Sequence, residues 1–413
     1  MKILIVNTSD SDGGAARAAY RLHRSLLVLN INSEMLVQNK SSDDFTVVSQ
    51  TSKLAKEWNK LRSPLDRVPV KLYKNRTKTF FSPSWFPNSN IVDMINDINP
   101  DIVHLHWINA GMIKIEDIAK IKAPIVWSLH DMWAFTGGCH YDEACGAYKE
   151  SCGNCKVLGS DKENDLSKKI FHRKQNTFLK IQNMTIVGLS MWLKNCAMNS
   201  TLFKDKKIIN LPNPIDTNVF KPFGKEKSRE LWNLPKDKKL VLFGAMGATS
   251  DPRKGFYKLS KALLKLQGEN IEFIIFGSST PKESQNFGFK THYLGQVHDD
   301  VNLVTLYSAV DVMVVPSLQE NLSNAIMESL ACATPVVGFN IGGNSDMIEH
   351  RENGYLARDF SEDDLAKGIE WILNNENYDR LCQNAREKII KEFDGAVVAK
   401  RYIELYAEVL DSK

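Results

Sequence analysis

The stretch PSLQENLSNAIMESLACATPVVGF, residues Pro316–Phe339, organises the prediction of the fold. The apolar run Val312–Val315 precedes it and residues 335–339 end it, and runs of this length are typical of buried parallel strands. Between them, short polar residues at 321–324 favour the start of a mostly apolar, buried helix. The stretch therefore predicts strand, helix and strand, the repeating unit of a parallel α/β sheet.

Two carboxylates, Glu320 and Glu328, stand eight positions apart in this stretch. The unpaired amides and partial positive charge of a helix N-terminus can hold a phosphate, and Glu320 lies just before them. Glu328 lies roughly 12 Å further along the helix axis, so a nucleoside would have to lie along the helix to reach it. The spacing alone favours an ordinary α/β unit with a surface and a capping carboxylate.

The segment resembles the E-x7-E signature of retaining GT4 glycosyltransferases, which have the GT-B fold of two Rossmann-like domains facing a central cleft. The resemblance implies that Glu320 contacts the donor sugar and that Glu328 binds ribose. It also implies that four intervening residues hold the diphosphate through their amides: Asn321, Leu322, Ser323 and Asn324. The commonest version of the signature has Phe-Gly where this sequence has Leu322 and Ser323, which changes the expected shape of the sugar pocket.

Length and composition are those of a globular protein with two or three domains. The chain has 413 residues, 43% of them hydrophobic and 25% charged. A net charge of +4 is too small and too dispersed to indicate nucleic-acid binding. No apolar run approaches the ~20 residues that span a bilayer, and Met1–Asn7 leads directly into a predicted strand rather than a signal peptide. We therefore expect a cytoplasmic protein, with peripheral membrane contact at most.

A glycine turn follows the first predicted strand, Ile3–Val6. Gly13 and Gly14 precede a helix predicted over 15–30, and glycine at such a turn lets the backbone approach a ligand closely. A tight turn alone would also select glycine. In the GT4 family the matching loop lies in the cleft beside acceptor and donor phosphate, which implies a donor-binding role for both glycines.

His130 lies at the carboxyl end of a predicted strand, 124–131. Open α/β sheets place ligands at this end of their strands. A single histidine at such a place is more often structural. The resemblance favours function, because in GT4 enzymes a histidine after this strand contacts the donor sugar. His104 and His106, on the preceding predicted strand 101–107, are expected to pack or to line the cleft.

Residues 56–87 combine cations with aromatic side chains. The cations are Lys56, Lys60, Arg62, Arg67, Lys71, Lys74, Arg76 and Lys78, against the acids Glu57 and Asp66. The aromatic residues are Trp58, Tyr73, Phe80, Phe81, Trp85 and Phe86. This composition suits an anionic membrane surface or a lipid-diphosphate acceptor, although a solvated helical excursion has the same composition. The prolines at 64, 69, 83 and 87 argue against one long amphipathic helix.

Four of the seven cysteines lie within twenty residues, as C-x5-C-x6-C-x2-C. They are Cys139, Cys145, Cys152 and Cys155. Because disulfides are disfavoured in the cytosol, this density indicates structural zinc, with His140 as an alternative ligand. An iron–sulfur cluster or four unliganded thiols are the other interpretations. The insertion 136–158 resembles that of some bacterial polysaccharide, colanic-acid-type GT4 enzymes, in which we expect it to brace the loop after His130.

A proline-rich connector at 211–216 resembles the segment that joins the two halves of GT4 enzymes. We predict an acceptor-binding domain at 1–211, a nucleotide-sugar domain at 212–393 and a last helix, 394–413, that packs back on the first domain. Arg253 and Lys254, in a loop before a helix, can neutralise a diphosphate. Lys254 matches the family's lysine, whereas Ala245 or Met246 occupies the usual arginine place, so Arg253 is the predicted substitute. Val297 matches an element that contacts the nucleotide base through its backbone.

The resemblance covers nearly the whole chain and implies a retaining glycosyltransferase. It would move a sugar from a nucleotide-diphosphate sugar, with UDP or GDP, to a saccharide or lipid-linked saccharide acceptor in cell-surface polysaccharide synthesis. We expect His130, Glu320, Arg253 and Lys254 to carry a front-face displacement without a catalytic metal. A GT-B isomerase or phosphorylase, and a non-enzymatic zinc-braced scaffold, remain the alternatives.

Overall fold

The chain divides into two compact units. One comprises Met1–Asn213 with Val398–Lys413, and the other is Pro214–Val397. The computed structural model describes residues 1–50, 52–86, 90–244, 247, 251–266, 270–277, 287–297 and 299–412. Ala245, Met246 and Pro87 therefore lie outside the described residues. The predicted domain boundary, after residue 211, is two residues from the division between the units.

The first unit is built on a parallel sheet. Its strands are β1 (Lys2–Ser9), β2 (Asn32–Asn39), β3 (Val47–Val48), β4 (Ile102–Leu105), β5 (Ile125–Leu129), β6 (Met184–Gly188) and β7 (Lys207–Asn210). Its helices are α1 (Gly14–Val28), α2 (Lys53–Asp66), α3 (Val68–Lys71), α4 (Ile91–Ile98), α5 (Leu166–Phe178) and α6 (Met191–Met198). In the described residues the strand order is β3-β2-β1-β4-β5-β6-β7. The central strands are buried on both faces, as their apolar runs predict.

The second unit repeats this architecture with a smaller parallel sheet. Its strands are β8 (Lys239–Gly244), β9 (Ile271–Phe276), β10 (Thr291–Tyr293), β11 (Val312–Val315), β12 (Val336–Phe339) and β13 (Gly354–Ala357). Its helices are α7 (Lys225–Leu231), α8 (Phe256–Leu263), α9 (Asp300–Ala309), α10 (Asn324–Ala331), α11 (Asn344–Met347), α12 (Glu362–Leu373) and α13 (Tyr378–Glu392). The strand order among the described residues is β10-β9-β8-β11-β12-β13. The predicted α/β class with two parallel sheets is confirmed.

The last helix, α14 (Gly395–Asp411), belongs for most of its length to the first unit. Two of its tyrosines contact polar side chains of β4 and β5. The Tyr406 hydroxyl lies 2.7 Å from His104 Nδ1, and the Tyr402 hydroxyl lies 3.2 Å from Ser128 Oγ. Because all four side chains are buried, these hydrogen bonds specify where α14 docks.

The first half of the basic segment is helical despite its prolines. Helix α2 continues through Pro64 to Asp66, and α3 follows after one residue with Pro69 in its first turn. The described part of the segment is therefore not one long helix, as expected, although Pro64 does not interrupt α2. Among the described helices, none combines the length and the apolar character that a membrane crossing would need.

Candidate active site

The chain reverses direction across the second sheet between β8 and β11. From β8 it proceeds outward to β9 and β10, then returns to the other side of β8 for β11, β12 and β13. In open parallel sheets such a reversal leaves a crevice at the carboxyl ends of the strands, where ligands bind. Lys254 lies in the loop after β8, and Glu320 lies in the loop after β11. The fold thus places both predicted residues at this crevice.

Lys254 and Glu320 are in direct contact. Lys254 Nζ donates to Glu320 Oε2 over 3.0 Å, and the Ser317 hydroxyl donates to the same oxygen over 3.2 Å. Both charged side chains are mostly buried, with 27% of Lys254 and 14% of Glu320 exposed. A cation and a carboxylate are therefore held together where an anionic ligand of the crevice would meet both.

Close backbone contacts join the loops that carry this pair. Gly255 and Gly342 have left-handed φ values of 68° and 53°, and a Cβ on either would lie 1.8 Å from the carbonyl oxygen of Pro316 or Glu320, respectively. The Leu318 amide also donates to the Arg253 carbonyl over 2.7 Å. Only glycine allows both contacts, so the loops after β8, β11 and β12 pack as one piece.

The helix after Glu320 begins at Asn324, three residues later than the earliest predicted start. Ser323 is its N-cap but makes no capping hydrogen bond through its side chain. Asn321, Leu322 and Ser323 are buried, so the predicted diphosphate-binding segment lies against the core of this unit. Its backbone begins the helix at the crevice, as the sequence predicts.

Glu328 is almost completely buried, with 2% of its surface exposed. The Tyr307 hydroxyl, on α9, donates to Glu328 Oε2 over 3.1 Å. The partner expected for a carboxylate on an apolar helix is thus present within the protein. The contact of Glu328 with a ribose stays a prediction.

Arg253 is paired within its own turn. Its Nε and Nη2 donate to Asp251 Oδ1 and Oδ2 over 3.2 and 2.7 Å. Burial alone would raise the Asp251 pKa, but the hydrogen bonds and charge of Arg253 outweigh burial and lower it. Arg253 is therefore anchored as an ion pair beside Lys254. Val297, the predicted base contact, is partly buried against the core of the same unit.

The first sheet has a corresponding reversal between β1 and β4. Gly13 caps α1 with φ 90°, a conformation that favours glycine, and a Cβ there would meet no atom of the described residues within 4 Å. The backbone conformation accounts for this glycine, and its donor-binding role stays a prediction. Gly14 is the first residue of α1. The loop after β4 packs alongside, because the Thr8 amide donates to the Trp107 carbonyl over 2.8 Å. The predicted glycine turn therefore lies at the strand reversal of the first sheet, between β1 and β4.

His130 directly follows β5 and is half-buried. Its Nε2 lies 2.9 Å from Nδ1 of the buried His106. Burial lowers the His130 pKa to about 4, and the opposing charge of Asp131 does not compensate. His130 is therefore neutral at pH 7, which suits it to hydrogen bonding rather than to charge stabilisation.

Asp131 holds the cysteine-rich insertion in place. Its Oδ2 accepts from His140 Nδ1 over 2.6 Å and from Trp107 Nε1 over 3.0 Å. His140 Nε2 in turn lies 2.9 Å from the Ser82 hydroxyl. Both ring nitrogens of His140 are thus occupied by protein groups, so it is a poor substitute for a cysteine ligand.

The four clustered cysteines carry free thiols. Cys139 and Cys152 are buried, Cys155 is partly buried and Cys145 is exposed. Burial raises the Cys139 pKa, and the other three thiols raise it further, which puts all four in one neighbourhood. Within the described residues, however, no three His, Cys, Asp or Glu side chains converge as they would around a metal ion. The fit to zinc is incomplete, and structural zinc stays a prediction.

Two contributors to the second-unit site were not predicted: Ser317 and Tyr307. Ser317 has a local signal, since it lies three residues before Glu320 in the same loop. Tyr307 comes from α9, and only the packing of that helix brings its hydroxyl to Glu328.

Residues 224–391 match the family model described as glycosyl transferases group 1. The match lies within the second unit. An uncharacterized glycosyltransferase from Methanocaldococcus jannaschii is 25% identical over 330 residues, which are 74% of this chain and 82% of that protein. The N,N'-diacetylbacillosaminyl-diphospho-undecaprenol alpha-1,3-N-acetylgalactosaminyltransferase of Campylobacter jejuni is 30% identical over 45% of this chain and 49% of its own length.

Solved structures match the whole chain. Sucrose-phosphate synthase from Thermosynechococcus elongatus aligns over 100% of both chains with a TM-score of 0.69 and 17% identity. HepE from Anabaena, solved in complex with UDP, aligns over 99% of this chain and 100% of its own with a TM-score of 0.65 and 16% identity. These likenesses confirm the GT-B arrangement of two Rossmann-like domains as the fold.

Gly342→Ala is expected to destabilise the second unit by about 3 kcal/mol or more, because the methyl group would overlap the Glu320 carbonyl and φ would be strained. Gly295→Ala is the matched control: φ is 68° there, but a Cβ would meet no atom of the described residues within 4 Å, so about 1 kcal/mol is expected. Urea denaturation measures both losses. Equal losses would contradict the close contact.

Proposed function

We propose that this protein is a retaining glycosyltransferase that uses a nucleotide-diphosphate sugar donor. The observation that carries the proposal is the contact of Lys254 with Glu320 at the strand reversal of the second unit. An ammonium group has three donors, so Lys254 can hold Glu320 and a phosphate oxygen together. A scaffold protein would have no need for a mostly buried ion pair at this crevice.

In the proposed reaction the acceptor hydroxyl attacks the anomeric carbon on the face from which the diphosphate departs. The acceptor oxygen forms the new bond as the bond from the anomeric carbon to the phosphate oxygen breaks, and the hydroxyl proton passes to that departing phosphate oxygen. Lys254 and Arg253 stabilise the charge of the departing diphosphate, and the first amides of α10 add to this stabilisation. Glu320 and His130 each orient the sugar through hydrogen bonds, and Glu328 binds the ribose.

The relatives support the substrate classes. HepE was solved with UDP, which supports UDP as the nucleotide, with GDP as the alternative. The name of the Campylobacter relative includes a diphospho-undecaprenol acceptor. We therefore propose a saccharide or lipid-linked saccharide acceptor in cell-surface polysaccharide synthesis, bound by the first domain.

Lys254→Ala is expected to weaken UDP binding roughly tenfold to a hundredfold and to lower sugar transfer by about 10² or more, because a diphosphate loses its nearest cation. Calorimetry with UDP and GDP, followed by transfer assays with their sugar conjugates, measures both effects. A ligand of the folded state also raises the melting temperature by mass action, which gives a second readout.

Lys258→Ala is the matched control. It removes a lysine of α8, the helix that follows Lys254, and so breaks an ion pair with Glu362 at 2.8 Å that lies away from the crevice. Unchanged nucleotide binding is expected in this variant. If neither nucleotide binds the unaltered protein, or if both variants behave alike, the donor-site proposal is wrong and the scaffold alternative is favoured.

We also propose that α2 contacts an anionic membrane. Its buried positions are polar, Asn59, Arg62 and Asp66, whereas an ordinary surface helix buries its apolar side. The exposed stripe is apolar: Leu54, with 86% of its surface exposed, Trp58 and Leu61 lie at the spacing of one helix face. Exposed cations lie on one side of the stripe: Lys53, Lys56 and Lys60, the last paired with Glu57 over 2.7 Å. An apolar stripe beside cations matches the interface of a bilayer rich in anionic lipid.

Replacing Lys53, Lys56 and Lys60 by Gln is expected to weaken binding to phosphatidylglycerol vesicles roughly a hundredfold, at about 1 kcal/mol per cation. Leu54→Ser with Leu61→Ser should weaken it as well. Leu231→Ser with Leu264→Ser, at exposed apolar positions of the second unit, is the matched control. Vesicle sedimentation measures binding, and equal, negligible binding to anionic and neutral vesicles would refute the surface.

A structural zinc ion on Cys139, Cys145, Cys152 and Cys155 is the remaining proposal, supported by their spacing. About one zinc per chain is expected by elemental analysis of the purified protein. Cys152→Ser should abolish this content, whereas Cys382→Ser, at a cysteine outside the cluster, should not. Zinc-free protein that is folded and stable would overturn the proposal.

A further inference from the structure

Three histidine rings lie in a row at the ends of β4 and β5. The ring centroids of His104 and His106 are 4.3 Å apart, and those of His106 and His130 are 5.2 Å apart. His104 and His106 are buried, whereas His130 is partly exposed. Both nitrogens of His104 are engaged, by Tyr406 and Ser128. The middle ring, His106, is therefore the histidine of this row that contacts His130 on its buried side.

The contact between His106 and His130 is a hydrogen bond that contains a single hydrogen. His106 Nδ1 and His130 Nε2 are 2.9 Å apart, so one nitrogen bears a hydrogen and the other accepts it. Burial lowers the pKa of His106 well below its usual value, and that of His130 to about 4. Both rings are therefore neutral at pH 7, and each carries a single N–H.

The far side of His106 decides which ring donates. His106 Nε2 is buried and has no hydrogen-bond partner in the described part of the chain. If His130 donated, His106 would have to carry its hydrogen on Nε2, and a buried N–H would have no acceptor. Orphaned N–H groups are rarer in folded proteins than under-satisfied acceptors. The favoured arrangement is thus a hydrogen on His106 Nδ1 and a bare Nε2 on His130.

We propose that His106 is a positioning residue that holds the hydrogen of His130 on Nδ1. His130 then meets the sugar as a neutral hydrogen-bond donor, and it cannot remove a proton from the acceptor through either nitrogen: Nδ1 already bears its hydrogen, and Nε2 accepts from His106. The tautomer is a property of the folded protein alone. The role toward the sugar rests on the proposed function.

Protein labelled with ¹⁵N at its nine histidines reports the tautomer directly. Long-range ¹H–¹⁵N correlation spectra at pH 7, with His130 assigned from the signals missing in His130→Gln, distinguish protonated from bare ring nitrogens. The expected result is a protonated Nδ1 and a bare Nε2 on His130. The reverse pattern, or a doubly protonated His130, overturns the proposal. No variant of His106 has to fold for this measurement, and no activity is needed.

Two replacements of His106 separate positioning from packing. The side-chain amide of His106→Asn can place an N–H where Nδ1 lies, whereas the longer side chain of His106→Gln places it nearer the position of Nε2. We expect His106→Asn to retain kcat within about threefold, and His106→Gln to lower kcat roughly tenfold to a hundredfold through a misplaced His130. UDP affinity should be unchanged in both, because the nucleotide site belongs to the other unit.

Equal losses in the two folded variants would mean that His106 only packs, which contradicts the proposal. If the unaltered protein transfers no sugar but His130 shows the expected tautomer, the proposed function fails while the positioning of His130 stands. If the protein transfers sugar as proposed but His130 shows the opposite tautomer, the positioning proposal fails while the proposed function stands.

Discussion

Burial of the parallel strands on both faces is the constraint on which the rest of the structure depends. Strands such as β4, β8 and β11 have apolar residues at almost every position, so they leave little room for chemistry within the sheet. Polar groups are displaced to the loops at the strand ends, and the strand order decides which loops meet. Lys254 and Glu320 are 66 positions apart in the chain and touch because β8 and β11 are neighbours.

Glycine makes this meeting rigid. The carbonyl groups of Pro316 and Glu320 occupy the space that side chains at 255 and 342 would need. The backbone on either side of Glu320 is consequently held from two directions, and its side chain has limited freedom before any ligand arrives. Groups fixed in advance need little reorganisation when they meet a charged ligand, which is the physical source of their effect on a developing charge.

Properties that follow from local patterns could be predicted from the sequence. Apolar runs located β4, β5, β8 and β11, and the polar residues just after them located His130 and Glu320. The strand β2 escapes prediction because its apolar run is only Met35, Leu36 and Val37 between polar residues. The pairing of Arg253 with Asp251, and of Tyr307 with Glu328, depends on side-chain direction and on helix packing. The basic composition around α2 was visible in the sequence, but its exposed apolar stripe required knowledge of which side is buried.

The row of three histidines illustrates how a polar core can be neutral. Three imidazoles lie together, yet none needs a counter-ion, because burial lowers the pKa of each below physiological pH. Hydrogen bonds then take the place of charges: the hydroxyls of Tyr406 and Ser128 satisfy His104, and His106 pairs with His130. Since Tyr406 belongs to the last helix, the docking of α14 stabilises the same row of rings that ends at His130. The C-terminal helix therefore contributes to the geometry of a candidate site residue far earlier in the chain, through neutral contacts that salt does not screen.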